Sequence, residues 1–134
     1  MAKIPDIEGI GPAYGEKLQA AGIRTTAALL KAGASPKGRK ELAATTGISV
    51  DMIRDWTNMA DLFRIKGIAT QYAELLEAAG VDTVKELRNR NAANLHAKMV
   101  EVNAEKKLVR QTPSLSQVTS YVEQAKALDP VMTY

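Results

Sequence analysis

The chain has 134 residues, of which 46% are hydrophobic but only 4% aromatic, and its formal net charge is +3. That length allows one domain, or two very small ones sharing a core. The absence of cysteine excludes a disulfide framework and a thiolate metal site, and no stretch approaches the roughly 20 consecutive apolar residues of a membrane span. The excess positive charge is spread thinly. Residues 1–30 and 61–90 balance, 31–60 carry about +2 and 91–134 about +1, so no basic block appears of the kind a strongly electrostatic nucleic-acid binder shows. The first residues lack the apolar core of a signal peptide, and a soluble, cytoplasmic protein is the expectation.

The first organised stretch is Asp6-Ile-Glu-Gly-Ile-Gly-Pro-Ala-Tyr-Gly-Glu-Lys-Leu-Gln-Ala-Ala-Gly-Ile23. It returns without a gap as Arg64-Ile-Lys-Gly-Ile-Ala-Thr-Gln-Tyr-Ala-Glu-Leu-Leu-Glu-Ala-Ala-Gly-Val81, so the chain is a tandem duplication. In each copy an apolar residue leads into Gly-Ile-Gly or Gly-Ile-Ala, and an amphipathic helix follows. Short connections between helices need a positive φ or a close backbone approach, which glycine allows most cheaply. Pro12 suits a first helical turn, and Gly22 reads as the stop of a helix over 12–21.

Further along, Thr25 is a plausible N-cap for a short helix closed at Gly33. Ser35-Pro36 opens another, halted at Gly47. Ser49 then caps a helix whose apolar stripe is Val50, Ile53, Trp56 and Ala60. The second copy predicts a helix over about 70–79, and Asp82 and Thr83 cap the next. Leu95, Met99, Val100 and Leu108 suggest a longer helix interrupted near Asn103. Thr112-Pro113-Ser114 breaks it, and Leu115, Val118, Tyr121, Val122 and Ala125 mark the last, ended by Asp129-Pro130. With about seven residues inserted, Tyr121 falls where Trp56 does. The expected class is all-α, in two pseudo-repeats over 1–61 and 62–134 packed as one compact unit.

The run Ile-x-Gly-Ile-Gly-x-x-x-Gly-x-x-Leu resembles the helix-hairpin-helix motif, and the 46–49 loop resembles a more divergent copy. The resemblance implies a duplicated, SAM-domain-like helical bundle. In that family the loop amides grip a nucleic-acid phosphate, and paired hairpins occur in DNA-binding domains of recombinase- and repair-type proteins. Over nearly its full length the sequence also looks like a bacterial family designated only as domain of unknown function 4332. That likeness is carried by the Gly-Ile-Gly-Pro opening, Gly-Arg-Lys-Glu-Leu-Ala at 38–43, Ala-Asp-Leu-x-Arg-Ile at 60–65 and the Leu-Leu-Glu-Ala-Ala-Gly-Val run.

Candidate phosphate contacts are therefore Gly9, Ile10, Gly11 and Lys17 in the first copy, Arg39, Lys40, Gly47 and Ser49 in the middle, and Arg64, Lys66 and Gly67 in the second. Each has a plainer reading. Gly9-Ile10-Gly11 serves equally as a tight connection, and the lysines and arginines as a solvated helix face. Asp6 and Glu8 crowd the first loop with negative charge, whereas Arg64 and Lys66 flank the second. Tyr14, Tyr72, Trp56 and Tyr121 are expected in the core rather than as stacking platforms. His96 stands alone, and no nucleophile–base pair, metal-spaced cluster or phosphate-binding Gly-x-x-x-x-Gly-Lys run is present, so neither catalysis nor a cofactor is expected. Two functions stay open. One is a nucleic-acid-binding accessory protein using DNA backbone contacts, and the other an interaction module that has another protein as partner; neither involves a membrane.

Overall fold

The computed structural model describes residues 4, 7, 9–68 and 70–134. Among these there are eight helices and no β-strand. They are α1 (Pro12–Ala20), α2 (Thr26–Gly33), α3 (Pro36–Thr46), α4 (Val50–Leu62), α5 (Thr70–Ala78), α6 (Val84–Arg88), α7 (Ala92–Lys106) and α8 (Leu115–Ala127). The fold is all-α.

Most helix starts are explained by one side chain. The oxygens of Thr25, Ser35, Thr83 and Asn91 each accept from the backbone N–H three residues on. Ser49 does the same for Met52. Ser114 and Gln117 form a reciprocal capping box at the start of α8. Each such cap satisfies an N–H that the helix itself leaves open.

The internal repeat is legible in the backbone. Ile10 N–H donates to Ile7, and 58 positions further on (10 to 68) Ile68 N–H donates to Ile65. Gly22 to Gln19 and Ile23 to Leu18 recur as Gly80 to Glu77 and Val81 to Leu76. The same residues at the same spacing close the same turns.

The chain divides into two compact units, one of residues 1–61 with 131–134, the other of 62–130. In the first, α2 packs on α3, and Ile4, Ile7, Leu18, Leu29 and Ile53 are fully buried. In the second, α8 lies on α6 and α7 while α5 lies on α7, around Leu62, Ile65, Leu75, Leu76, Leu87, Leu95 and Met99.

Gly33 closes α2, as the sequence predicts, and is buried against α4; a Cβ there would lie 2.5 Å from Thr57 Oγ1. Two details depart from the sequence expectations. Asn103 does not interrupt α7. Its amide donates to the Val109 carbonyl and accepts from the Val109 N–H, clasping the loop that leaves the helix. Residues 131–134 belong to the first unit rather than the second repeat: Met132 is buried and Thr133 N–H donates to the Ala34 carbonyl at 2.8 Å.

Candidate nucleic-acid interface

Each unit opens on the same kind of turn. Gly9 and Gly67 are exposed and take φ of +91° and +95°, a region that residues with a Cβ adopt only at a cost. Both turns rest on an aromatic side chain from a later helix. Trp56 Nε1 lies 3.5 Å from where a Cβ on Gly9 would sit, and the edge of the Tyr121 ring lies 3.0 Å from the equivalent point on Gly67. These two aromatics are 5% and 3% exposed, as a core role requires. Tyr14 and Tyr72 are only half-buried. The Tyr14 ring leans on Trp56 with centroids 5.3 Å apart, and the Tyr72 hydroxyl donates to the Gln111 carbonyl at 3.2 Å.

In the first turn, Ile10 faces inward. Its side chain is buried and its N–H is spent on the Ile7 carbonyl at 3.3 Å. Gly11 is exposed and begins α1 with no side chain capping it, and the first turn of α1 holds no acid. The positive end of the helix dipole lies at this residue, and a Cβ on Gly11 would meet nothing within 4 Å. Lys17 is exposed but sits in the last turn, roughly 9 Å along the axis from Gly11 at the usual helical rise. Its ammonium lies 5.8 Å from the centre of the Tyr14 ring. Asp6, Glu8 and Ala69, which entered the sequence argument, lie outside the described residues.

The second turn is braced from α8. Gln124 accepts from the Lys66 N–H at 2.9 Å and donates to the Lys66 carbonyl at 3.2 Å, and the Tyr121 hydroxyl donates to the Gly67 carbonyl at 3.3 Å. The Lys66 amide is thereby occupied, while its side chain is exposed. Arg64, half-buried, donates to the Asp129 carbonyl at 2.9 Å. It is anchored, not idle.

The middle segment is arranged differently from the two turns. Gly47, in the left-handed region at φ +75°, ends α3 and donates its N–H to Ala43. The Ile48 N–H goes to the Thr46 hydroxyl and the Met52 N–H to Ser49. These groups are used internally, so Gly47 and Ser49 serve as stop and cap. Arg39 is not on a solvated face. It is 4% exposed, and its guanidinium donates to the carbonyls of Gly33 at 2.8 Å and Thr133 at 2.6 Å. Burial pushes its pKa below the ordinary value; Tyr134 opposes that shift and the Arg54 charge adds to it. Lys40, one residue on, is exposed. The fold gathers Arg39, Lys40 and Arg54 around one open depression of about 250 Å³ between α3 and the start of α4.

Sequence reasoning passed over the loop after α7. Lys107 ends that helix with φ +52°, and the Tyr72–Gln111 bond holds the loop against the first turn of α5. Lys106, Lys107 and Arg110 are exposed and, like Lys66, form no ion pair among the described residues. The run Lys-Lys-Leu-Val-Arg at 106–110 was the signal. The packing of α5 on α7 and the Tyr72 bond place it beside the second turn's helix.

Residues 8–128 match the family described as domain of unknown function (DUF4332). The chain belongs to this family. The DUF4332 match spans both glycine turns, the Arg39–Arg54 cluster and the basic loop, and stops before residues 131–134. No curated protein and no solved structure matches the chain. Among the described residues no group of three His, Cys, Asp or Glu side chains could hold a metal ion, and no helix is long and apolar enough to cross a membrane.

Proposed function

We propose that this protein binds nucleic acid through backbone phosphates, without reading base sequence. The observation that carries the reading is the matched pair of exposed glycine turns at Gly9 and Gly67. Each leads into a helix whose first turn holds no acidic residue. Such turns resemble the helix-hairpin-helix loop, and the positive helix ends behind them favour an anion. Lys66, Lys106, Lys107 and Arg110 supply unpaired positive charge near the second turn and its helix. Contacts of this kind position a protein on nucleic acid but carry no sequence information.

Fluorescence anisotropy tests it, with labelled duplex and single-stranded DNA of unrelated sequences titrated at several salt concentrations. Binding is expected to weaken steeply with salt through counterion release. The double variant Lys66→Ala/Arg110→Ala is expected to flatten that dependence by about two units, near one per lost phosphate contact, and equally on every sequence. Absence of binding at low salt ends the reading.

A protein-interaction module is the second reading, and one observation favours it. Gln124 closes the Lys66 backbone and Asp129 holds Arg64, so part of the second turn is already satisfied within its own unit. Loss of DNA binding at every salt concentration makes it the working one.

A further inference from the structure

A buried cation ordinarily has a carboxylate beside it, because an uncompensated charge away from water is strongly unfavourable. Arg39 departs from that pattern. It is 4% exposed, yet its two hydrogen-bond partners are the neutral carbonyls of Gly33 and Thr133, and the Tyr134 ring lies 5.1 Å from its guanidinium carbon. Among the described residues it forms no ion pair.

Arg39 does not end in a closed interior. It lines the depression between α3 and α4, and the side chains around that space are strongly biased in charge. Arg39 and Lys40 come from α3, Arg54 from α4, and Tyr134 forms a wall. Against three cations there is one carboxylate, Asp51, which lies on the rim, 80% exposed and 4.0 Å from Arg54. Arg54 also reaches Asp55 at 3.8 Å, and contacts so long and so exposed contribute little. Three positive charges less the carboxylates of Asp51 and Asp55 leave a side-chain surplus of +1, which favours an anion. The thirteen-residue helix α4 starts on the same space, with Val50 and Asp51 among its lining residues, and its first N–H groups add to the positive field. A volume of about 250 Å³ falls below the roughly 300–1,000 Å³ of pockets for drug-sized molecules, so the fitting ligand is small.

We propose that this depression binds a small phosphoryl anion, with Arg39, Lys40 and Arg54 as its ligands and Tyr134 as the wall that orients Arg39. The planar guanidinium fork of Arg54 suits the oxygen spacing of phosphate, Arg39 adds its charge while its terminal nitrogens hold the Gly33 and Thr133 carbonyls, and Lys40 adds a mobile point charge. Tyr134 also donates from its hydroxyl to Asn58 Oδ1 at 2.5 Å, so the wall is tied to α4. The site shares no residue with either glycine turn and does not depend on the nucleic-acid reading.

The experiment is an amide and arginine side-chain nitrogen–proton NMR titration of the full chain with inorganic phosphate, a nucleoside 5′-monophosphate and, as control, acetate. Saturable shifts are expected at the Val50 and Asp51 amides and at the Arg39 and Arg54 side chains. Lys40→Ala/Arg54→Ala removes only exposed or half-exposed charges. It is expected to weaken binding about tenfold or more while leaving the thermal midpoint unchanged. Tighter binding of the nucleotide assigns the phosphoryl group to a nucleotide; equal binding assigns it to free phosphate. No saturable shift by about 10 mM, a range far weaker than a built site implies, overturns the proposal. So do shifts confined to other residues, equal binding of acetate, or unchanged affinity in the double variant. DNA anisotropy reads none of these outcomes, so the two proposals fail separately.

Discussion

The Tyr121 hydroxyl donates to the Gly67 carbonyl oxygen at 3.3 Å, and the edge of the same ring would stand 3.0 Å from any Cβ placed on Gly67. One contact therefore requires glycine twice, by its positive φ and by the lack of room. Gly47, at φ +75° with open space around it, requires glycine only once. Gly67→Ala is expected to cost about 2–3 kcal/mol and Gly47→Ala about 1 kcal/mol, from backbone strain alone in the second case. Urea unfolding of both variants checks the order, and equal costs would remove Tyr121 from the account.

Trp56 holds the same place beneath Gly9. Trp56→Ala is expected to cost about 3–5 kcal/mol, the usual loss for a buried large aromatic. Circular dichroism through a urea titration measures it. A variant as stable as the parent would put Trp56 on the surface, against its 5% exposure.

Gly33 meets Thr57 across α2 and α4. An added Cβ would lie 2.5 Å from Thr57 Oγ1 and 3.1 Å from Cγ2. Gly33→Ala is therefore expected to destabilise the wild-type background. In Thr57→Ala the two nearest atoms are gone and only the Cβ of residue 57, at 3.3 Å, stays close, so the same change should cost much less and become near neutral, since alanine gains up to about 1 kcal/mol over glycine within a helix. A double-mutant cycle reads the coupling directly. Additivity of the two changes would show that the helices separate instead.

Glu86 carries a raised pKa, chiefly through desolvation and then through the Asp82 carboxylate beside it. A raised carboxyl pKa means that the folded state holds the proton more tightly than the unfolded chain. Its effect on stability is thus favourable at acid pH and is lost as pH rises from the ordinary value of 4.5 through the folded value. Glu86→Gln should raise the unfolding midpoint slightly at neutral pH and leave no such gain well below 4.5. The reverse pattern in urea titrations at the two pH values would contradict the assigned cause.

The helix boundaries were legible because their causes are local. Thr25, Ser35, Ser49 and Thr83 each act on an N–H three residues away, so type and spacing suffice to place them. The recurring turn was equally plain, since residues repeated at one offset make the same backbone hydrogen bonds. Ile10 shows where this stops for the candidate site. Its motif position suggested a ligand contact, but the Ile7 carbonyl takes its N–H and the core takes its side chain.

What only tertiary structure decided involves partners far apart in the chain. Arg39 reads as one more charge on an amphipathic helix until Thr133, 94 residues away, accepts its guanidinium. Gln124 reads as an exposed helical residue until it closes on Lys66, 58 residues earlier. The basic run at 106–110 has no address until α7 packs on α5 and Tyr72 reaches Gln111. By itself the sequence determined an all-α chain with a repeated glycine turn, because capping and turn geometry act within about four residues. Which charges are buried, and which line a common space, depends on the packing of distant segments, and only the folded chain brings those together.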